Sequence, residues 1–263
     1  MNTGLSGKVA LIGGASKGLG MGCALQLARE GVNVAICARG ADKLKETAEF
    51  IRNNAKVEVL PIVADLSNKK DLKKMVDTVI NKFGGIDILI VNSGGPKAAG
   101  FFDLSEQDWD DAYRSVFYYV VELYRNFIPQ MKARKWGRII NIASLSVKEP
   151  AENLVLSNVF RSGVVSLAKT LSRDLIGHNI TINNICPGAF KTDRAMQLIL
   201  ERSKTTGESV KEIEEKAISS LPLKRYQTPE ELGDLVVFLA SEAARGITGT
   251  TIQIDGGIYK GLF

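Results

Sequence analysis

Apolar residues fall along the chain in two alternating patterns. Short runs rich in Val, Ile, Leu and Ala occupy residues 9–12, 32–38, 57–63, 86–92, 138–142, 180–185 and 251–254. Each is too short for a typical helix and mostly continuous rather than alternating, as expected of strands covered on both faces. Between them lie amphipathic stretches at 18–30, 42–53, 68–82, 106–133 and 158–176. In the first of these, Ala24, Leu25, Leu27 and Ala28 supply one apolar face. This alternation predicts an α/β fold: a Rossmann-type, doubly wound parallel sheet with helices on both faces. No repeat, low-complexity tract or linker divides the 263 residues, so a single domain over 1–263 is expected.

The rhythm breaks between Phe190 and Tyr226. This stretch is charged and helical, contains Gly207 and ends in Leu221-Pro222-Leu223. It follows a strand at the edge where open α/β sheets hold their ligands. A lid over a substrate, at about 190–226, is the functional expectation, and a surface excursion the alternative.

Composition adds exclusions. Hydrophobic residues make up 45% and charged residues 24%, ordinary for a globular chain. No apolar run has the length of a membrane span, and residues 1–8 lack the apolar core of a signal peptide. A cytoplasmic protein is expected. Cys23, Cys37 and Cys186 are odd in number, far apart and set in apolar stretches, which suits buried thiols rather than a metal site or a disulfide. The single histidine, His178, has no nucleophile-elbow pattern to serve, which removes a Ser-His-Asp hydrolase. The net charge is +5, but the lysines are scattered among acids. That pattern fits a solvated surface with an anionic cofactor or substrate better than a nucleic-acid stripe.

The most informative segment follows the first strand: Gly13-Gly14-Ala15-Ser16-Lys17-Gly18-Leu19-Gly20. Here Gly14, Gly18 and Gly20 let the backbone turn tightly and approach a pyrophosphate. The helix behind them presents free N–H groups and its positive dipole end. The spacing resembles the T-G-x-x-x-G-x-G turn of the short-chain dehydrogenases/reductases, with Gly13 replacing the Thr. Further matches are Asp65-Leu66, Asn92-Ser93-Gly94, Asn183-Asn184-Ile185-Cys186-Pro187-Gly188 with Thr192, and Ile247-Thr248-Gly249. The resemblance runs from about Leu5 to Asp255-Gly256-Gly257.

It implies a dinucleotide held by Gly14, Ser16, Lys17, Gly18, Leu19 and Gly20 at the phosphates. Asp65 and Leu66 would lie at the adenine, and Asn92, Ser93 and Gly94 along the adenosine ribose. Pro187, Gly188 and Thr192 would hold the nicotinamide end. Val91 departs from the family's N-N-A-G. The resemblance also implies a homo-oligomer, a tetramer, with helices 106–133 and 158–176 at one interface. The second strand ends in Cys37-Ala38-Arg39, so the family's acidic position falls on Ala38. With Lys17 and Arg39 present and no carboxylate between them, a 2′-phosphate is favoured, hence NADP(H).

At the reaction centre the pattern breaks. Ser144 matches the family's Ser, but the Tyr position falls on Ser157, the Lys position on Arg161 and the Asn position near Val116. The segment resembles a divergent branch similar to the β-ketoacyl-acyl-carrier-protein reductases without the full tetrad. A Ser hydroxyl is a far weaker acid than a Tyr, and Arg cannot shuttle a proton. Lys148, or Tyr113 or Tyr119 on one helical face, are the other candidate proton donors. Arg161 and Arg194 suit an anionic substrate group. Two readings stay open: an NADPH-dependent oxidoreductase acting on a small carbonyl or alcohol, and a dinucleotide-binding regulatory or assembly protein without turnover.

Overall fold

A computed structural model describes residues 3–262, without the side chains of Arg194, Leu198 and Glu201. Seven strands form one parallel sheet: β1 (Val9–Ile12), β2 (Asn33–Ala38), β3 (Val59–Val63), β4 (Ile88–Val91), β5 (Gly137–Ile142), β6 (Ile180–Pro187) and β7 (Thr251–Ile254). Their order is β3-β2-β1-β4-β5-β6-β7. The order reverses beside β1, which pairs with β2 on one side and β4 on the other. That is the switch point where ligands enter such sheets. Pro61 sits in β3, at the sheet edge, where a missing N–H does least harm.

Side chains alternate across the sheet, so neighbouring residues serve opposite cores. Ala10 and Ile12 pack with α1 (Gly18–Arg29), α2 (Ala41–Asn54) and α9 (Pro229–Ala240). Leu11 faces the other layer, with α3 (Lys69–Phe83), α5 (Tyr119–Arg134) and α6 (Val155–Leu175). The doubly wound sheet expected from the apolar runs is therefore present. Helix α9 falls where the hydrophobic pattern assigned no element. Its start signals were nevertheless in the sequence: Thr228, then Pro229 in the first turn and Glu231.

The long helix expected over 106–133 runs without interruption from Glu106 to Arg134, but its middle is not α-helical. After α4 (Glu106–Ala112), which starts with a capping box of Ser105 and Asp108, comes a π-turn over Tyr113–Tyr118, then α5. The Ser93 hydroxyl donates to the Ser115 carbonyl at 3.0 Å. A side chain that claims a helical carbonyl disturbs the regular ladder, a common setting for a π-bulge. The wider turn also overturns the expectation that Tyr113 and Tyr119 share one face. Tyr113 is 42% exposed and Tyr119 only 3%.

The excursion after β6 folds into α7 (Asp193–Thr206) and α8 (Val210–Ser220), separated by Gly207 in the left-handed conformation. Its base is closed by backbone bonds from Gln227 N to Ala189 O (2.9 Å) and from Lys191 N to Gln227 O (2.8 Å). No helix among the described residues is long and apolar enough to cross a membrane.

Candidate active site

The turn after β1 is shaped by its glycines. Gly14 and Gly18 have φ of 57° and 55°, the left-handed region that side chains avoid. A Cβ on Gly20 would lie 2.4 Å from the Gly14 carbonyl oxygen, so helix and turn can approach only without one. Helix α1 then starts at an extended Lys17 with no side chain capping it and no acid in its first turn. By contrast Asn68, Thr192 and Ser209 cap α3, α7 and α8. The first N–H groups of α1 therefore keep their capacity to bind an anion. Around them, Asn92 Nδ2 donates to the Gly13 carbonyl at 3.0 Å, and Thr47 donates to the Ser16 carbonyl at 2.8 Å. Thr192 lies across Gly18, with its methyl 3.5 Å from where a Cβ would stand. Leu19 packs partly buried against the α1–α9 core.

Arg39, after β2, and Asp65, after β3, lie near each other on the same edge. Partial burial of Asp65 opposes its ionisation. Donors from the Ser67 hydroxyl and N–H, and the field of Arg39, outweigh it and hold the carboxyl below its ordinary value. Arg39 is exposed and makes no ion pair among the described residues. Lys17, the second expected phosphate cation, faces Asp193 at the start of α7 at 3.3 Å, with both side chains exposed. Such a pair is worth little and yields readily to a stronger anion. Leu66 packs against the glycine turn, its Cδ1 3.2 Å from where a Cβ on Gly13 would stand, and lines a surface cavity of about 260 Å³ with Lys69, Tyr118 and Glu122.

At the end of β5 the reaction-centre candidates do converge. Ser144 is extended and its Oγ accepts the Ser146 N–H at 3.1 Å, which leaves its hydroxyl proton to donate. Ser157, on α6, is buried, and its Oγ lies 3.3 Å from that of Ser146. Arg161, one turn further along α6, donates from Nη1 to the Ile142 carbonyl at 2.9 Å. Burial lowers the pKa of its guanidinium from the ordinary value, against the opposing pull of Tyr119 and Cys186. A cavity of about 10 Å³ between Arg161, Tyr119, Asn141 and Val116 is just large enough for one water. Burial raises the pKa of the Tyr119 hydroxyl, although a bond to Ser93 and the charge of Arg161 oppose this. Tyr119 is thus a poor acid, bonded to Ser93 and lining the same small cavity as Arg161. Lys148 follows on the same loop, and its ammonium faces the Tyr259 ring. The side chain of Arg194 lies outside the described residues. All three cysteines are free and buried, and burial pushes Cys23 and Cys37 up to about 12.

Comparison with known proteins bears on this arrangement. The family model described as enoyl-(acyl carrier protein) reductase matches residues 14–259. The chain belongs to the short-chain dehydrogenase/reductase family. Among its relatives, a 3-oxoacyl-[acyl-carrier-protein] reductase of Staphylococcus epidermidis is 33% identical, over 96% of this chain and 99% of that one. The NADPH-dependent reductase BacG of Bacillus subtilis is 30% identical, over 98% of this chain and 100% of that one. Among solved structures, L-sorbose reductase from Gluconobacter frateurii, complexed with NADPH and L-sorbose, superposes with a TM-score of 0.95. It is 33% identical, and both chains are covered completely.

Within this family frame, the residues that sequence reasoning missed are Ser146, Asn141 and Tyr259. Ser146 sits two residues past a recognised position and carries no signal of its own. Asn141 is joined to the Tyr124 hydroxyl (2.8 Å) and to Asn184 (2.9 Å) in a buried polar chain across β5 and β6. A polar residue inside an apolar strand was the available sign.

Proposed function

We propose that the protein is an NADPH-dependent reductase of small carbonyl compounds. The observation that carries this reading is the uncapped start of α1 behind the glycine turn, facing a strand edge where Arg39 has no carboxylate rival at Ala38. The fit is consistent: Gly14, Ser16, Lys17, Gly18, Leu19 and Gly20 would hold the pyrophosphate, and Arg39 with Lys17 the 2′-phosphate. Asp65 and Leu66 would border the adenine. Asn92, Ser93 and Gly94 would line the adenosine ribose, and Pro187, Gly188 and Thr192 the nicotinamide. When bound, the cofactor supplies hydride.

The chain's own residues supply the rest. The Ser144 hydroxyl polarises the substrate carbonyl. The Ser146–Ser157 hydroxyl pair carries a proton toward the new alkoxide, with Lys148 as the candidate source. Arg161, whose Nη1 donates to the Ile142 carbonyl, would hold the nicotinamide ribose and supply fixed positive charge there. The excursion at about 190–226 acts as a lid, hinged on the Phe190–Gln227 pairing. A cytoplasmic homotetramer acting on a small molecule, not on nucleic acid, completes the reading.

The test is to titrate the protein with NADPH and NADH, then repeat with Arg39→Ala. NADPH should bind more tightly than NADH and lose that advantage in the variant. Equal or absent binding of both would end the reading. The resemblance that puts Ser157 at the family's Tyr position favours one rival, a dinucleotide-binding protein without turnover. NADPH binding with no NADPH oxidation across a broad carbonyl panel would select it.

A further inference from the structure

The segment after β7 folds back against the loop that carries Ser144 and Lys148. After β7, both carboxylate oxygens of Asp255 are filled from the backbone: Gly257 N–H donates to Oδ1 at 2.9 Å and Tyr259 N–H to Oδ2 at 2.8 Å. This turn lies directly on Gly188, where a Cβ would stand 2.5 Å from the Asp255 Cα. It also lies beside the end of the excursion, near Leu223 and Pro222. The turn sets the Tyr259 ring opposite the Lys148 ammonium, 5.6 Å from the ring centre. Lys148 arrives from the other side, its N–H donating to Leu145 O at 2.9 Å at the end of the short turn begun by Ser144. Both side chains are half-buried.

The charges here do not balance. Lys148 and Arg161 both act on the Cys186 thiol, at the carboxyl end of β6. Burial still pushes that thiol up to about 11, and Asp255 adds to the rise. Two cations thus share the region with one carboxylate, whose oxygens are already engaged. Neither Lys148 nor Arg161 makes an ion pair among the described residues, and Glu149 and Glu152 on the same loop are exposed. An ammonium held on a ring and without a carboxylate partner keeps its N–H donors for an anionic ligand.

We infer that Lys148, seated on Tyr259, is the specificity-determining residue for a substrate bearing a carboxylate near its carbonyl: an oxo acid. The inference rests on the reductase reading above. It separates this chain from the Gluconobacter frateurii relative, whose bound L-sorbose is an uncharged sugar. Tyr259 is a positioning residue that fixes where the ammonium sits.

The test avoids turnover by using the protein loaded with NADP⁺. Calorimetric titrations would compare 2-oxobutanoate, acetoacetate and levulinate, each beside its methyl ester. At least one acid should bind about tenfold more tightly than its ester. That ratio should fall to near one in Lys148→Met and be partly restored in Lys148→Arg. Tyr259→Leu should reduce the ratio, and Tyr259→Phe should keep it. No preference for any acid, or a preference that survives Lys148→Met, overturns the inference. Failure to oxidise NADPH with any of the six compounds counts against the reductase reading instead, because the binding ratio does not depend on turnover.

Discussion

The phosphate turn and the reaction centre lie on one edge of one sheet but are built from different materials. At the turn the groups proposed to work are backbone N–H donors, placed by Gly14, Gly18 and Gly20 and by the open end of α1. No side chain can replace a backbone donor or fit where a Cβ would meet the Gly14 carbonyl at 2.4 Å. At the proposed reaction centre the working groups would be side chains: Ser144, Ser146, Ser157, Arg161 and Lys148. Side-chain chemistry can be handed from one residue to another if the geometry allows, and the family resemblance assigns the Tyr and Lys positions to Ser157 and Arg161. A backbone-built site is therefore fixed, and a side-chain-built site can be rewired on the same frame.

The comparison can be broken at either end. Gly20→Ala should have the largest effect, weakening NADPH binding by about a hundredfold or more, because helix and turn must separate. Fluorescence titration measures it, and unchanged affinity would mean that the turn is not the phosphate site. Ser144→Ala should lower kcat by about a hundredfold, the usual effect of losing one donor to a developing oxyanion. NADPH affinity should barely move. A fall in affinity without a fall in kcat would place Ser144 on the cofactor side. Arg39→Ala should cost about tenfold in NADPH affinity and leave NADH unchanged, in line with one charge-assisted contact at an exposed site.

Two smaller effects sharpen the picture. If Ser146 and Ser157 act as one hydroxyl pair, either alanine variant alone should slow turnover about as much as both together. Additive losses would show two separate roles. The last prediction concerns the scaffold behind the turn, where α9 packs on α1. Glu231, at the start of α9, is held at about 2 by Arg225 and by the Thr228 N–H. A carboxyl depressed in the folded chain contributes stability above its unfolded value, near 4.5, and loses it as pH falls toward 2. Glu231→Gln should therefore reduce stability at neutral pH slightly and flatten its fall between those values, without changing NADPH affinity. Acid-titrated urea unfolding would show no flattening if the exposed pair with Arg225 contributes nothing.

Much of this was legible in the residues. Apolar runs marked all seven strands: β1, β2 and β4 are almost wholly apolar because both of their faces are covered, while the edge strands β3 and β7 keep exposed positions. The glycine turn was equally plain, since a left-handed residue followed by a helix needs that composition. The helix at residues 229–240 was less plain, because it is apolar on too many sides to show a clean stripe. The π-turn at Tyr113–Tyr118 was hidden altogether: its neighbour Ser93 is twenty residues before it in sequence and meets it only through the fold.

The sequence by itself determined the sheet, the phosphate turn and the absence of an acid at Ala38, because each depends on local periodicity or on a residue's own conformational range. Only the tertiary structure decided how Ser144, Ser146 and Ser157 meet, that Tyr119 is buried and Tyr113 is not, and that Tyr259 reaches back to Lys148. Those contacts join segments up to about a hundred residues apart. Their distances follow from how helices and loops pack on the sheet, and a linear pattern does not carry that information.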